Sequence, residues 1–352
     1  MNRRALNRAT LARQMLLARE RVKPLAAIER LAGLQAQVPR PPFIALWSRL
    51  ENFRREDLLR LIANRRVVRG PLMRATIHLV SRKDFIAWRR VVQPALSRSA
   101  NSIARGHRDF ETLVNHARRH FDDAPCTFDD FRKSLQALEL EGDIRQMAYA
   151  VRMHLPLVQV PGEAEWGYPA NAAFAVAESW LGEPLSTSDH PHDLFLRYLA
   201  AFGPATVSDF QTWSGLPKPD ISSLRSRLVT FADEKGRELF DLPKAPRPDE
   251  DTPAPVRFLP DYDNLLLAHS DRSRVIADEH RKRIVKANLI VLAVFLVDGV
   301  VAGTWRFEKK QRLPTLEPFV KITKRVRDEL MAEGERLAEF LTTPPSSKAA
   351  RR

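Results

Sequence analysis

Cysteine is almost missing from this chain. Cys126 is the only one among 352 residues, which rules out an internal disulfide and a thiolate metal cage and suits a reducing compartment, so a cytoplasmic protein is expected. Long apolar runs are missing too: the longest, Ala287 to Val297, is far too short to cross a bilayer, and no membrane partner is expected. The basic opening Met1-Asn2-Arg3-Arg4 is followed by no apolar segment of the kind a secretory signal needs. Histidines number 9 and are scattered. His190 and His192 have no further ligands at metal spacing, and neither a phosphate loop nor a dinucleotide fingerprint occurs, so no metal, nucleotide or other cofactor is expected.

Acid is also in deficit. With 57 Lys and Arg against 43 Asp and Glu, the formal charge is +14, a field that attracts polyanions because basic side chains release the counterions condensed on nucleic acid. An Arg-favouring genome would leave a similar surface, so charge alone does not decide. At 44% hydrophobic and 28% charged residues the chain has the composition of a folded protein, and its length calls for two to four modules.

Three segments follow one plan: a Ser or Thr cap with an acid three residues on, apolar-periodic helices, then a short β ribbon. In the clearest, Leu194, Tyr198 and Leu199 predict an amphipathic helix ending at Gly203-Pro204. Thr206-Val207-Ser208-Asp209 caps a second helix with Phe210 and Trp213, and Ile221, Leu224 and Leu228 predict a third with Arg225 and Arg227 outward. Strands flank the turn Glu234-Lys235-Gly236. Helix, helix, helix and hairpin is the pattern of a winged helix-turn-helix. A weaker copy starts at Thr127-Phe128-Asp129-Asp130, continues through Ile144, Met147 and Val151, and pairs Leu155–Val160 with Glu165–Tyr168. The first copy fills the N-terminus: helices from Leu6 to Leu17, from Pro24 and from Glu56 to Ile62, then strands Val67-Val68 and Thr76–Val80, with Ser81 capping the next helix.

From about Pro253 the periodicity turns to strands: Val256–Leu259, Leu265–Leu267, Leu289–Val297 and Val301–Phe307, with Asp298-Gly299 as a hairpin turn, before a helix from Thr323 to Phe340. Five prolines in Pro243–Pro255 mark the best linker. The expected class is α+β, with three tandem winged helix-turn-helix modules at 1–105, 106–185 and 186–250, a C-terminal β-barrel-like domain at 251–341, and a disordered basic tail at 342–352.

At Leu34-Gln35-Ala36-Gln37-Val38-Pro39 the chain resembles the AlkZ and YcaQ-like DNA glycosylases, whose catalytic motif is a Gln, an intervening residue, then Gln or Asp. The resemblance runs on through Arg74-Ala75-Thr76-Ile77-His78-Leu79-Val80, Leu259-Pro260-Asp261-Tyr262-Asp263-Asn264-Leu265-Leu266-Leu267, His280-Arg281-Lys282-Arg283 and Val297–Arg306, in the family's order. It implies three winged helices and a C-terminal β-barrel around a basic channel for duplex DNA, with Gln35 and Gln37 as catalytic residues of the Gln-x-Gln branch, which acts on bulky alkyl adducts and crosslinks. Taken without the family, Gln-Ala-Gln would be two surface glutamines.

The chemistry suits a neutral pair. Alkylation at purine N7 leaves the base cationic and weakens its bond to the sugar, so the protein must mainly place a water and tolerate an oxocarbenium-like sugar. Residues two apart share a side in an extended segment but not on a helix, and Pro39 biases Val38 toward extension. The resemblance also implies a β-hairpin projecting toward DNA around Asp263–Arg272, where Asp263, Asn264, His269 and Arg272 would probe a groove; a polar turn bonding its own backbone is the plainer reading. Arg74 and His78 lie in the first ribbon, where a groove contact competes with a buried structural pair. Arg65, Arg66 and Arg69 form a basic cluster suited to phosphates. The expected partner is duplex DNA carrying alkylated bases, met by a monomeric glycosylase. The competing reading is a winged-helix regulator without enzymatic activity, which would read bases through residues such as Arg225 and Arg227.

Overall fold

The computed structural model describes residues 1–104, 110–138, 142–308 and 313–344, a mixed α+β chain. The N-terminal part runs α1 (Arg3–Arg13), α2 (Pro24–Arg30), β1 (Leu34–Gln35), α3 (Pro41–Arg49), α4 (Arg55–Ala63), β2 (Val67–Pro71), a single 3-10 turn at Met73–Ala75, β3 (Ile77–Ser81), α5 (Arg82–Trp88) and α6 (Gln93–Ala104). Pro24 opens α2 where the missing amide is no loss, and the Ser81 hydroxyl caps α5 by accepting from Asp84 N at 3.1 Å. β1, β3 and β2 form one antiparallel sheet in that order.

Next come α7 (Phe110–Asp123), α8 (Phe128–Gln136), α9 (Ile144–His154), β4 (Leu157–Gln159), β5 (Phe174–Val176) and α10 (Ala177–Leu181). The Thr127 hydroxyl caps α8 as its spacing from Asp130 predicts. β4 pairs with β5, not with the expected 165–168 segment, which turns instead, with Gly167 N bonded to Ala164 O at 3.0 Å. The third part holds α11 (His192–Phe202), α12 (Val207–Ser214), a 3-10 stretch at Ser222–Arg227, β6 (Val229–Ala232) and β7 (Glu238–Asp241). Here Thr206 and Asp209 form the full capping box.

The remainder holds β8 (Arg257–Leu259), 3-10 turns at Asn264–Leu266, Arg272–Arg274 and Asp278–His280, α13 (Arg281–Ile284), β9 (Val294–Val297), β10 (Val300–Arg306), β11 (Thr315–Pro318) and α14 (Lys324–Thr342). Two expectations need correction. The C-terminal sheet is an open one in the order β11-β10-β9-β8, with no closed barrel among the described residues. The span expected as a hairpin, Asp263 to Arg272, is built from 3-10 turns, because Asp263 and Asp271 each cap their own turn by accepting from the amide two residues on. The tail from 345 onward lies outside the described residues, while Thr342 belongs to α14. No helix among the described residues is long and apolar enough to cross a membrane.

The cores do not follow the expected module borders. One joins Val68, Phe85 and Leu96 to Met153, Tyr198, Phe210 and Trp213; another joins Phe43, Leu46 and Leu58 to Phe258, Phe295 and Leu337. Only the cluster around Phe121, Phe131, Met147 and Phe174 stays within one stretch of chain. Segment 243–255, the expected linker, is strapped to α1: Arg4 and Arg8 donate to the Glu250 and Thr252 carbonyls at 2.8 and 2.7 Å.

Candidate active site around Gln35 and Gln37

The path into the site turns at Gly33. Its φ of +87° and the 2.6 Å that a Cβ would leave to Val80 Cγ1 admit only glycine there. The chain then runs extended beside β3, with Leu34 opposite Leu79, Gln35 opposite His78, and Ala36 N bonded to Ile77 O at 2.7 Å. Gln35 ends β1 and Gln37 lies in the bend that follows, and their side chains reach neighbouring points of the β2–β3 connection, Arg74 and Ile77. Gln35 Oε1 accepts from Arg74 Nη2 at 2.7 Å, and Gln37 Oε1 accepts from Ile77 N at 3.3 Å. Gln35 is only 7% exposed, whereas Gln37 is open to solvent.

Two arginines hold this segment, the buried Arg69 and the half-buried Arg74; only for Arg74 did the sequence leave a structural role open beside a groove contact. Arg69, expected at a phosphate on the surface, is 4% exposed and lies under the 35–37 strand. It donates to Ala36 O at 2.8 Å, to Gln37 O at 3.1 Å and to Gln159 Oε1, and it lies over the Tyr168 ring at 5.2 Å. Burial brings its pKa down to about 10. Arg74 sits in the β2–β3 turn with φ 56° and ψ 20°, left-handed backbone that an arginine seldom adopts. Besides Gln35, its guanidinium donates to Asn264 Oδ1 at 3.2 Å and to the Trp213 carbonyl. Burial, reinforced by the Arg272 charge, lowers its pKa to about 10.

His78 is fully buried rather than groove-facing. Its Nδ1 bonds Thr76 O at 3.1 Å while Nε2 is buried without a partner. Burial, and then the Arg74 charge, lowers its pKa to about 3, so it is neutral at physiological pH. Asn264 reaches the same nexus from the C-terminal part, accepting from Arg74 and donating to Gly33 O at 3.2 Å.

Other expected DNA-facing residues are placed elsewhere. Asp263 is buried in a bidentate pair with Arg49, both bonds 2.9 Å long. His269 is 1% exposed with Nε2 at 3.0 Å from Phe202 O, and burial lowers its pKa to about 3. Arg65 and Arg66 are exposed, Arg65 stacking on Trp180 at 3.7 Å and donating to its carbonyl at 2.8 Å. Arg272 is half-buried; its Nε finds no partner, and burial followed by the Arg281 charge lowers its pKa. Groups not read as site residues in the sequence complete it: the Gln159 and Tyr168 side chains behind Arg69, and the Trp213 backbone carbonyl behind Arg74. They are brought in by long-range packing, which leaves no local signal.

The structure of Streptomyces sahachiroi DNA glycosylase AlkZ matches this fold with a TM-score of 0.75 at 22% sequence identity, covering 97% of this chain and 98% of that one. The Streptomyces sahachiroi protein described as an interstrand DNA cross-link repair glycosylase is 24% identical over 336 residues, 87% of this chain and 88% of that protein. The model of the DNA glycosylase AlkZ-like family matches residues 28–340, and the chain belongs to that family: it is a DNA repair glycosylase, a hydrolase of N-glycosidic bonds.

Proposed function

We propose that this enzyme releases purines made cationic by N7 alkylation, with Gln35 and Gln37 directing a water to the deoxyribose carbon. The observation that carries this reading is the character of the pair. Two neutral amides, one at the end of β1 and one in the bend after it, have their side-chain oxygens bonded to Arg74 and to the Ile77 backbone amide. Without a carboxylate in the pair, the site depends on a leaving group that departs readily. The C1′–N bond breaks with its electron pair going to the cationic base, which leaves neutral. The water oxygen bonds C1′ and its proton passes to solvent, yielding an abasic site.

The substrate in this reading is duplex DNA, met by a monomer. The relative named for interstrand cross-link repair supports bulky and crosslinked N7 adducts as candidates. The three helix-and-ribbon units at 1–105, 106–185 and 186–250 serve as winged-helix modules, and the exposed Arg65 and Arg66 with the half-buried Arg272 meet phosphates. Arg69, Arg74, His78, Asp263, Asn264 and His269 act from the interior, shaping the surface that DNA meets.

The test is release of N7-methylguanine from methylated duplex under single-turnover conditions. Gln35→Ala and Gln37→Ala each lower the rate by about 100-fold or more, while the dissociation constant for DNA stays within about threefold. An uncharged lesion such as ethenoadenine is left intact. Undiminished release by the double variant would remove the assignment.

A further inference from the structure

Arg74 is a cation with no carboxylate. It is half-buried, stands in a left-handed backbone conformation, and its hydrogen-bond acceptors among the described residues are Gln35 Oε1, Asn264 Oδ1 and the Trp213 carbonyl, all of them neutral. Burying a charge opposite neutral acceptors and holding an arginine at positive φ are both unfavourable, and such combinations persist where something else depends on them. What depends on this one is the amide of Gln35. A guanidinium only donates, so the amide must turn its oxygen toward Arg74 and its Nε2 away.

We infer that Arg74 is the positioning residue of the Gln35–Gln37 site, and that by claiming Gln35 Oε1 it leaves the two glutamines with unequal tasks. Gln35 offers its N–H groups, to hold the oxygen of the water or of the substrate. Gln37, whose oxygen has only the 3.3 Å bond from Ile77 N, keeps acceptor capacity for a proton of the water. The same guanidinium ties this orientation to two remote segments. Gly215, just after α12, lies so close that a Cβ there would come within 3.1 Å of Arg74 Cα, and Asn264 in turn holds the Gly33 carbonyl at the entry to β1. Displacing either brace moves Gln35 without touching DNA.

This inference rests on the catalytic reading of the glutamine pair, and its test separates the two. Single-turnover release of N7-methylguanine and DNA affinity are measured for Arg74→Met, Arg74→Lys, Gln35→Glu and Arg74→Met combined with Gln35→Ala. Arg74→Met lowers the rate about 100-fold with affinity within about threefold, Arg74→Lys recovers about tenfold of that loss, and Arg74→Met adds nothing to Gln35→Ala. Gln35→Glu raises the melting temperature, because the half-buried guanidinium gains a carboxylate, yet it is as slow as Gln35→Ala because the N–H donors are gone. Should Arg74→Met not fold, Arg74→Lys and Gln35→Glu carry the test alone. A fall in affinity that matches the fall in rate, an undiminished Arg74 effect in the Gln35→Ala background, no recovery with lysine, or a lowered melting temperature for Gln35→Glu each overturns the positioning role. Full activity of Gln35→Ala would instead refute the catalytic reading itself.

Discussion

Arg13 and Arg49 bind distant parts of this chain together through carboxylates, whereas the buried Arg69 and half-buried Arg74 beside Gln35 and Gln37 bond none among the described residues. Arg13 pairs with Asp241 at 2.7 and 2.8 Å, and Arg49 with Asp263 at 2.9 Å twice over, each partner almost without solvent exposure. Such forks fix geometry and cancel charge at once. Around the site, Arg69 and Arg74 spend their donors on carbonyl and amide oxygens. The Arg49–Asp263 seam is therefore electrically closed and the Asp241 carboxylate is shared by Arg13 and Arg247, while Arg69 and Arg74 keep their positive charge beside the site without a bonded carboxylate among the described residues. That favours the phosphates of DNA, and the amides of the pair stand between this charge and a cationic substrate.

The contrast can be broken most forcefully at the seam. Asp263→Ala strands Arg49 in the interior and lowers stability by about 3–5 kcal/mol, read from urea unfolding. A loss under about 1 kcal/mol would mean that the closed seam contributes no more than an ordinary hydrogen bond. Smaller is the effect of pH at His78. Its pKa falls from 6.5 unfolded to about 3 folded, so the unfolded chain binds the extra proton, and stability is constant above pH 6.5 and declines as pH drops from there toward about 3. At pH 5 the difference amounts to about 2 kcal/mol. His78→Leu flattens the pH 7 to pH 5 decline by that amount, and an unchanged slope would show that His78 is not held neutral. The smallest effect belongs to the exposed cations. Arg66→Ala weakens DNA binding and reduces the salt slope, log affinity against log salt, by about 0.9, whereas an unchanged slope removes Arg66 from the DNA face.

Much of this architecture was legible locally. Ser81, Thr127, Thr206 and Thr323 all cap helices because a hydroxyl and the amide three residues on meet whatever the rest of the chain does. Asp298-Gly299 turns β9 into β10 because both residues take positive φ, 48° and 78°. The errors lie where local pattern competes with distant packing. Leu265 and Leu266 alternate too little to be told from a strand, yet Asp263 bends them into a 3-10 turn while its carboxylate answers Arg49, 214 residues away. At the site, Gln35 and Gln37 stand out in the sequence only through the family's motif. The role of Arg69 does not, since the cluster Arg65, Arg66 and Arg69 beside a ribbon reads as phosphate-facing until burial is known, and for Arg74 a groove contact and a structural pair read alike.

The N-terminal helix carries its own consequence for how the molecule is made. Asn7 donates to the Arg274 and Gly299 carbonyls at 2.7 and 2.8 Å, Arg8 pairs with Asp298, and Arg13 with Asp241. On the ribosome this helix emerges well before its partners, which are synthesised some 230 to 290 residues later. Folding must therefore hold α1 in reserve, so that a nascent chain halted before Asp298 stays open to proteases and chaperones. Synthesis through Asp298 and Gly299 thus becomes a condition for seating α1.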